Sequence, residues 1–146
     1  MIEDERSGKD MAQTLTEGMR SGSTQKIVNV ALWILQVAAA GMFLMVGFLK
    51  LSGNSQMVGL FEAIGIGQWF RYLTGTLEVG GGILLLIPRT SGFGALLLAV
   101  VMVGAVVTHL FIVGGSPLMA IILLVVTSIV AWERRRRTKN LLARLS

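Results

Sequence analysis

Four long apolar runs, separated by short polar or glycine-rich breaks, fill most of the chain between Ile27 and Trp132. A helix needs about 20 such residues, at about 1.5 Å each, to cross the ~30 Å hydrocarbon core of a bilayer. The first run extends from Ile27 to Leu49, bracketed by Lys26 and Lys50. The second extends from Arg71 to Ile87 and is ended by Pro88 and Arg89. The third, from Gly92 to Val113, breaks at Gly114-Gly115. The fourth opens with Ser116 as N-cap and Pro117 at the first helical position, and the arginine run stops it after Trp132. Hydrophobic residues make up 53% of the chain and charged ones 14%, well below the roughly one quarter charged of soluble domains. The chain is therefore read as an all-α polytopic membrane protein, a four-transmembrane-helix antiparallel bundle. Ala38-Ala39-Ala40 resembles a signal-peptidase site, but apolar sequence continues to Leu49, so the first run is read as a span.

The stretch from Lys50 to Arg71 is less hydrophobic and opens with the turn-forming Ser52-Gly53-Asn54-Ser55. Met57, Leu60, Phe61 and Ile64 follow at i, i+3, i+4 and i+7, with Glu62 off that face. Trp69, Phe70 and Tyr72 supply the aromatics expected at a membrane surface. An interfacial helix between the first two spans is predicted. Residues 1–26 are polar and mixed in sign and are read as a mostly disordered tail, with a short helix allowed from Asp10 to Met19. The membrane domain then covers 27–133, and 134–146 form a basic tail. Arg20, Lys26, Arg89 and the run Arg134 to Arg137 fall on one side of the spans, and only Lys50 and Arg71 on the other. That asymmetry places both termini in the cytoplasm and the protein in the cytoplasmic membrane. The net charge of +5 is thus a lipid-facing anchor, and without interleaved aromatics it does not describe a nucleic-acid surface.

A few costly groups sit within or beside the apolar runs: Gln36, Lys50, Arg71, Glu78, His109 and hydroxyls such as Thr74, Thr76, Thr108, Thr127 and Ser128. Ionisable groups in spans face the interior and find partners. Lys50 ends the first span; Glu78 lies about 10 Å inward from Arg71, and His109 about 6 Å from the end of the third span. Antiparallel helices therefore bring Lys50, Glu78 and His109 to a common depth in the outer half of the membrane. Gly47, Gly75 and Gly82 flank this level at helical spacing, removing bulk and permitting close packing. Gly80 and Gly81 mark a further close approach or a kink. Gln36 and the hydroxyls are read as interhelical hydrogen-bonders.

Two readings of Lys50 and Glu78 stand side by side: an ion pair that holds helices in register, or the polar end of a binding site. Burial and a nearby ammonium act on a carboxylate's proton in opposite directions, which makes Glu78 a group able to exchange a proton near neutrality. With His109, Lys50 and Arg71, the candidate binding cluster, it would cap a cavity for a quinone-like ring or a small organic solute. With no cysteine and one histidine, the chain offers neither bis-His haem ligation nor a Cys/His metal cluster. No metal site is expected, no catalytic residue is assigned, and no cofactor motif is present.

Gly47-Phe48-Leu49-Lys50-Leu51, then Gly75-Thr76-Leu77-Glu78 with Gly80 to Gly82 and Leu84 to Pro88, then Ala105-Val106-Val107-Thr108-His109 resemble the DoxX-like family of small four-helix membrane proteins. The similarity covers Ala31 to Val126. It implies a four-helix fold and carries the family's typical positions onto Gly47, Lys50, Gly75, Glu78 and His109. The family takes its name from a membrane subunit of a thiosulfate:quinone oxidoreductase, while most relatives have no established activity. The resemblance and the polar cluster together imply an accessory, quinone-proximal membrane subunit working with a membrane-associated redox protein. Its rivals are a non-enzymatic small-solute transporter and an assembly factor for other membrane proteins.

Overall fold

The computed structural model describes the backbone of residues 1–146 and every side chain except those of Arg137, Thr138 and Leu141. The described residues contain helices and no strand. They run α1 (Ile2–Leu51), α2 (Ser55–Ile64), α3 (Gln68–Leu86), α4 (Ser91–Thr108), a π-helical turn (His109–Val113) and α5 (Leu118–Leu145). Among the described residues, two helices are long and apolar enough to cross a membrane: α1, and α4 together with its π-helical turn. The chain divides into two units, Met1–Ile34 and Leu35–Ser146.

The first unit corrects the expectation of a mostly disordered tail, because α1 is helical from Ile2. Glu3, Asp4 and Glu5 occupy its first turn, where negative charge complements the helix dipole. Lys9 adds an i,i+4 ion pair to Glu5 at 2.8 Å, and Thr14, Thr16 and Thr24 return their hydroxyls to carbonyls four residues back. Nothing in this stretch forbids a helix, and polarity alone does not. The same reasoning corrects the C-terminus: α5 continues past Trp132 to Leu145. Arg, Lys, Leu and Ala are good helix formers, so the arginine run ends the apolar surface and not the helix. Arg137 of that run lies outside the described side chains.

In the second unit each long helix buries one stripe at alternating three- and four-residue spacing. In α1 the stripe is Gln36, Ala39, Ala40, Phe43, Gly47 and Lys50; in α3 it is Arg71, Gly75, Glu78, Gly82 and Leu85. In α4 it is Ser91, Ala95, Leu98 and Met102, and in α5 Ala120, Leu123, Thr127, Val130 and Arg134. Helix α4 packs along both α3 and α5, while α2 lies against α3 and the π-helical turn. The outward faces carry Val37, Met45 and Phe48, then Leu73, Ile83 and Leu86, then Leu96, Val100 and Val103, then Ile122, Val125 and Ile129, all exposed. A water-soluble helical domain has the opposite arrangement, with polar residues outside. This chain buries Gln36, Lys50, Arg71, Glu78, Ser91, Thr127 and Arg134 instead.

Glycines set the closest approaches. A Cβ on Gly47 would lie 2.9 Å from the Gly75 carbonyl, and one on Gly75 would lie 3.0 Å from Lys50 Cβ. Gly82 receives Leu44 against it. The α3–α4 contact is tighter still: a Cβ on Gly94 would meet Leu85 N at 2.8 Å and the Gly81 oxygen at 2.9 Å. Of the Gly80-Gly81 pair only Gly81 faces a neighbour, Leu98, while Gly80 has nothing within 4 Å. Thermal unfolding in detergent should separate them. Gly94→Val is expected to cost about 1–3 kcal/mol, since backbone atoms cannot yield to it. Gly80→Ala should gain roughly 0.5–1 kcal/mol from the helical backbone alone. Equal effects would mean that close approach is not what selects glycine at residue 94.

The breaks follow local chemistry. Asn54 caps α2, its side chain accepting from Gln56 N at 3.1 Å, and Gly65 ends it at φ 78°. Helix α5 begins one residue later than expected, at Leu118 with Pro117 as its N-cap residue, and Ser116 Oγ accepts from Leu118 N at 3.4 Å.

Candidate functional site

Lys50 closes the buried stripe of α1 and Glu78 lies mid-stripe in α3. The Gly47–Gly75 contact brings those two helices close enough for Lys50 Nζ to donate to Glu78 Oε1 at 2.6 Å. Glu78 is 1% exposed, and its second oxygen, Oε2, has no hydrogen-bond partner among the described residues. Lys50 Nζ also lies 5.8 Å from the centre of the Phe61 ring, so a residue of α2 screens the ammonium with its π face. Phe61 packs in turn against Phe70 at 5.9 Å.

Arg71 takes a supporting position. Its Nη1 donates to the Lys50 carbonyl, its Nε to Gln68 Oε1 at 2.7 Å, and its guanidinium stacks over Tyr72 at 4.2 Å. Gln68 Nε2 continues the chain to the Val58 carbonyl at 3.1 Å. Arg71 thus caps the C-terminus of α1, where the helix dipole favours a cation, and ties α1, α2 and α3 at the level of the ion pair. It borders neither cavity described below.

His109 occupies the junction of α4 and its π-helical turn. Its Nδ1 lies 2.9 Å from the Ala105 carbonyl. A carbonyl only accepts, so Nδ1 carries the hydrogen and a neutral ring leaves Nε2 as an acceptor. The π-helical geometry widens the helix at the histidine, a distortion frequent at functional sites.

Two cavities meet at these residues. One, about 330 Å³, has aliphatic and aromatic walls including Phe61, Leu77, Val101 and Ile112. The other, about 570 Å³, is walled by Phe43, Met57, Met102 and Leu123 among others. Both are lined by Lys50, Glu78 and His109, together with Leu60 and Ala105. Counting residues along each helix gave these three groups a common depth, and the packing supplies the rotation that turns all three to one place. The amphipathic spacing of α2 is used here: Leu60, Phe61 and Ile64 border the smaller cavity and Met57 and Leu60 the larger. Glu62, off that face, is exposed.

The hydroxyls depart from expectation. Thr74, Thr76, Thr108 and Thr127 bond to carbonyls of their own helices, not across to neighbours, as threonines in helices commonly do. Gln36 does bridge helices: its Nε2 donates to the Leu85 carbonyl at 3.0 Å, and its Oε1 accepts from Arg134 Nε at 3.0 Å. Reading Arg134 only as part of a basic surface run missed this buried contact. The available signal was its spacing, since Arg134 continues the stripe of Thr127 and Val130.

The family model described as DoxX-like matches residues 34–132, which contain Lys50, Glu78 and His109. No curated protein and no solved structure matches the chain.

Proposed function

The chain belongs to the DoxX-like family, and from that premise we propose that it is a four-span subunit of the cytoplasmic membrane that binds a quinone-type ring at Lys50, Glu78 and His109. Both termini lie in the cytoplasm, α2 rests at the outer interface, and a membrane-associated redox protein is the partner. The exposed apolar faces of α3 and α5 support crossings by these helices too, because burying such faces in lipid removes the cost of exposing them to water. Glu78 and Arg71 lower the mean hydropathy of α3 without touching lipid, since both are buried.

The observation that carries the reading is Glu78, a lining residue of two apolar cavities, whose Oε1 takes the Lys50 ammonium and whose buried Oε2 has no hydrogen-bond partner among the described residues. An unmet acceptor of this kind costs on the order of 1–3 kcal/mol or more, which a ligand hydroxyl would recover. Lys50 gives one of its three N–H donors to Glu78, and His109 Nε2 in the neutral ring is a second acceptor. The acceptors suit the hydroxyls of a quinol and the further donors of Lys50 suit a quinone carbonyl, so the Glu78 oxygen acts on the reduced form. A cavity of about 330 Å³ is at the small end of ligand sites, suited to a single ring with its tail leaving along lipid.

The test has two parts: quinone analysis of lipid extracted from the purified protein, and titration of a soluble ring analogue in both redox forms. The reduced form should bind wild type about ten- to a hundredfold more tightly than it binds Glu78→Gln, the equivalent of one charged hydrogen bond. Equal binding to wild type and variant, with no quinone retained by either, would sink the proposal. Solute transport is the second reading, favoured by the two cavities sharing Lys50, Glu78 and His109. Proton-coupled flux in liposomes that disappears in Glu78→Gln would select it.

A further inference from the structure

A third cavity lies apart from the first two and shares no residue with them. It is a groove of about 450 Å³ between the first half of α4 and the stretch of α5 from Ser128 to Lys139. Gly92 and Ala99 of α4 and Ser128 and Ala131 of α5 line it; where four small side chains meet on two packed helices, they leave an apolar trough. Arg135 and Lys139 also border it, with Trp132, and both basic residues are exposed. From this juxtaposition we infer that the groove is a binding site for an anionic phospholipid, one acyl chain lying in the trough and the phosphate held by Arg135 and Lys139.

The chemistry of the mouth favours this occupant. Arg135 and Lys139 are one helical turn apart on one face, and Glu133 does not border the groove. Arg135 is pre-positioned: its guanidinium sits 4.6 Å from the Trp132 ring centre, and Nη1 donates to the Trp132 carbonyl at 2.8 Å. A guanidinium has five N–H donors, so the rest remain for phosphate oxygens, with Lys139 adding a point charge. The depths agree. Tryptophan belongs at the edge of the hydrocarbon. Arg135 lies about 4.5 Å beyond Trp132 and Lys139 about 10 Å beyond it, bracketing a headgroup layer about 5–8 Å thick. A zwitterionic lipid would bring its own cation to this mouth, whereas an anionic one brings none.

Displacement of a fluorescent phosphatidylglycerol from the full-length protein in mixed micelles tests the assignment. Wild type should hold phosphatidylglycerol at least about tenfold more tightly than phosphatidylcholine, and Arg135→Gln/Lys139→Gln should lose about thirtyfold in phosphatidylglycerol affinity, fivefold per charge. Ala131→Leu keeps every charge but fills the trough, and should weaken both lipids. Arg136→Gln, whose residue is exposed but does not border the groove, should change nothing. Unchanged affinity in the double variant or in Ala131→Leu overturns the inference. So does an equal loss in Arg136→Gln, which would make the attraction diffuse, or full displacement of the lipid by millimolar inorganic phosphate, which would make the site one for a free anion.

Discussion

Lys50→Met is expected to lower the unfolding free energy by about 3–5 kcal/mol, because it strands the Glu78 carboxylate in an apolar interior without its ammonium. The double variant Lys50→Met/Glu78→Leu should recover most of that loss, since two buried charges replaced by apolar groups of similar volume are often no less stable than the pair. The comparison also separates the two roles this ion pair can play. A purely structural pair predicts that the double variant keeps every property of wild type. A site predicts a stable protein that no longer takes up the reduced ring. Chemical denaturation in detergent, followed by ligand titration of the two variants, gives both answers. A double variant as unstable as the single one would contradict the energetic argument itself.

Gly47→Leu should have an effect of similar size through geometry. A Cβ at residue 47 would lie 2.9 Å from the Gly75 carbonyl and 2.8 Å from Val79 Cγ2, and the rest of a leucine would have to displace α3. A cost of about 3 kcal/mol, the upper part of the range for overpacked sites, is expected. The 2.6 Å Lys50–Glu78 contact depends on the same approach, so this variant should also lose ring binding although residue 47 borders neither cavity. Thermal unfolding and titration on one preparation measure both. Full binding in a destabilised Gly47→Leu protein would show that the site tolerates separation of α1 from α3.

Helix existence and the axial position of each polar group were legible in the residues. Run lengths, Pro88, the Gly114-Gly115 break and the Ser116-Pro117 cap are local features, and a helix advances by a constant rise per residue. Counting from the ends of the runs therefore assigned Lys50, Glu78 and His109 the same depth before any packing was known. Gly47 and Gly75 were legible too, because small residues at helical spacing beside a buried charge have few other uses. The tails were misread because polarity reports where a residue can be exposed, and says little about whether its backbone is helical.

Only the tertiary structure decided which way each helix turns and which partner each group meets. Rotation about a helix axis and the choice of neighbour depend on how all the helices pack together, and no local stretch encodes them. Arg134 illustrates the point: it opens a run of arginines that follows an apolar stretch, yet α5 turns it inward to Gln36 of α1. Gly81 and Gly94 belong together only because α3 and α4 cross there, and Arg71 finds the end of α1 across a helix boundary. The unpartnered Glu78 Oε2 could not have been foreseen from any motif. The sequence by itself determined that an acidic group would lie at that depth in an apolar chain; the packing determined that Lys50 satisfies one oxygen and that the other is buried with no hydrogen-bond partner among the described residues.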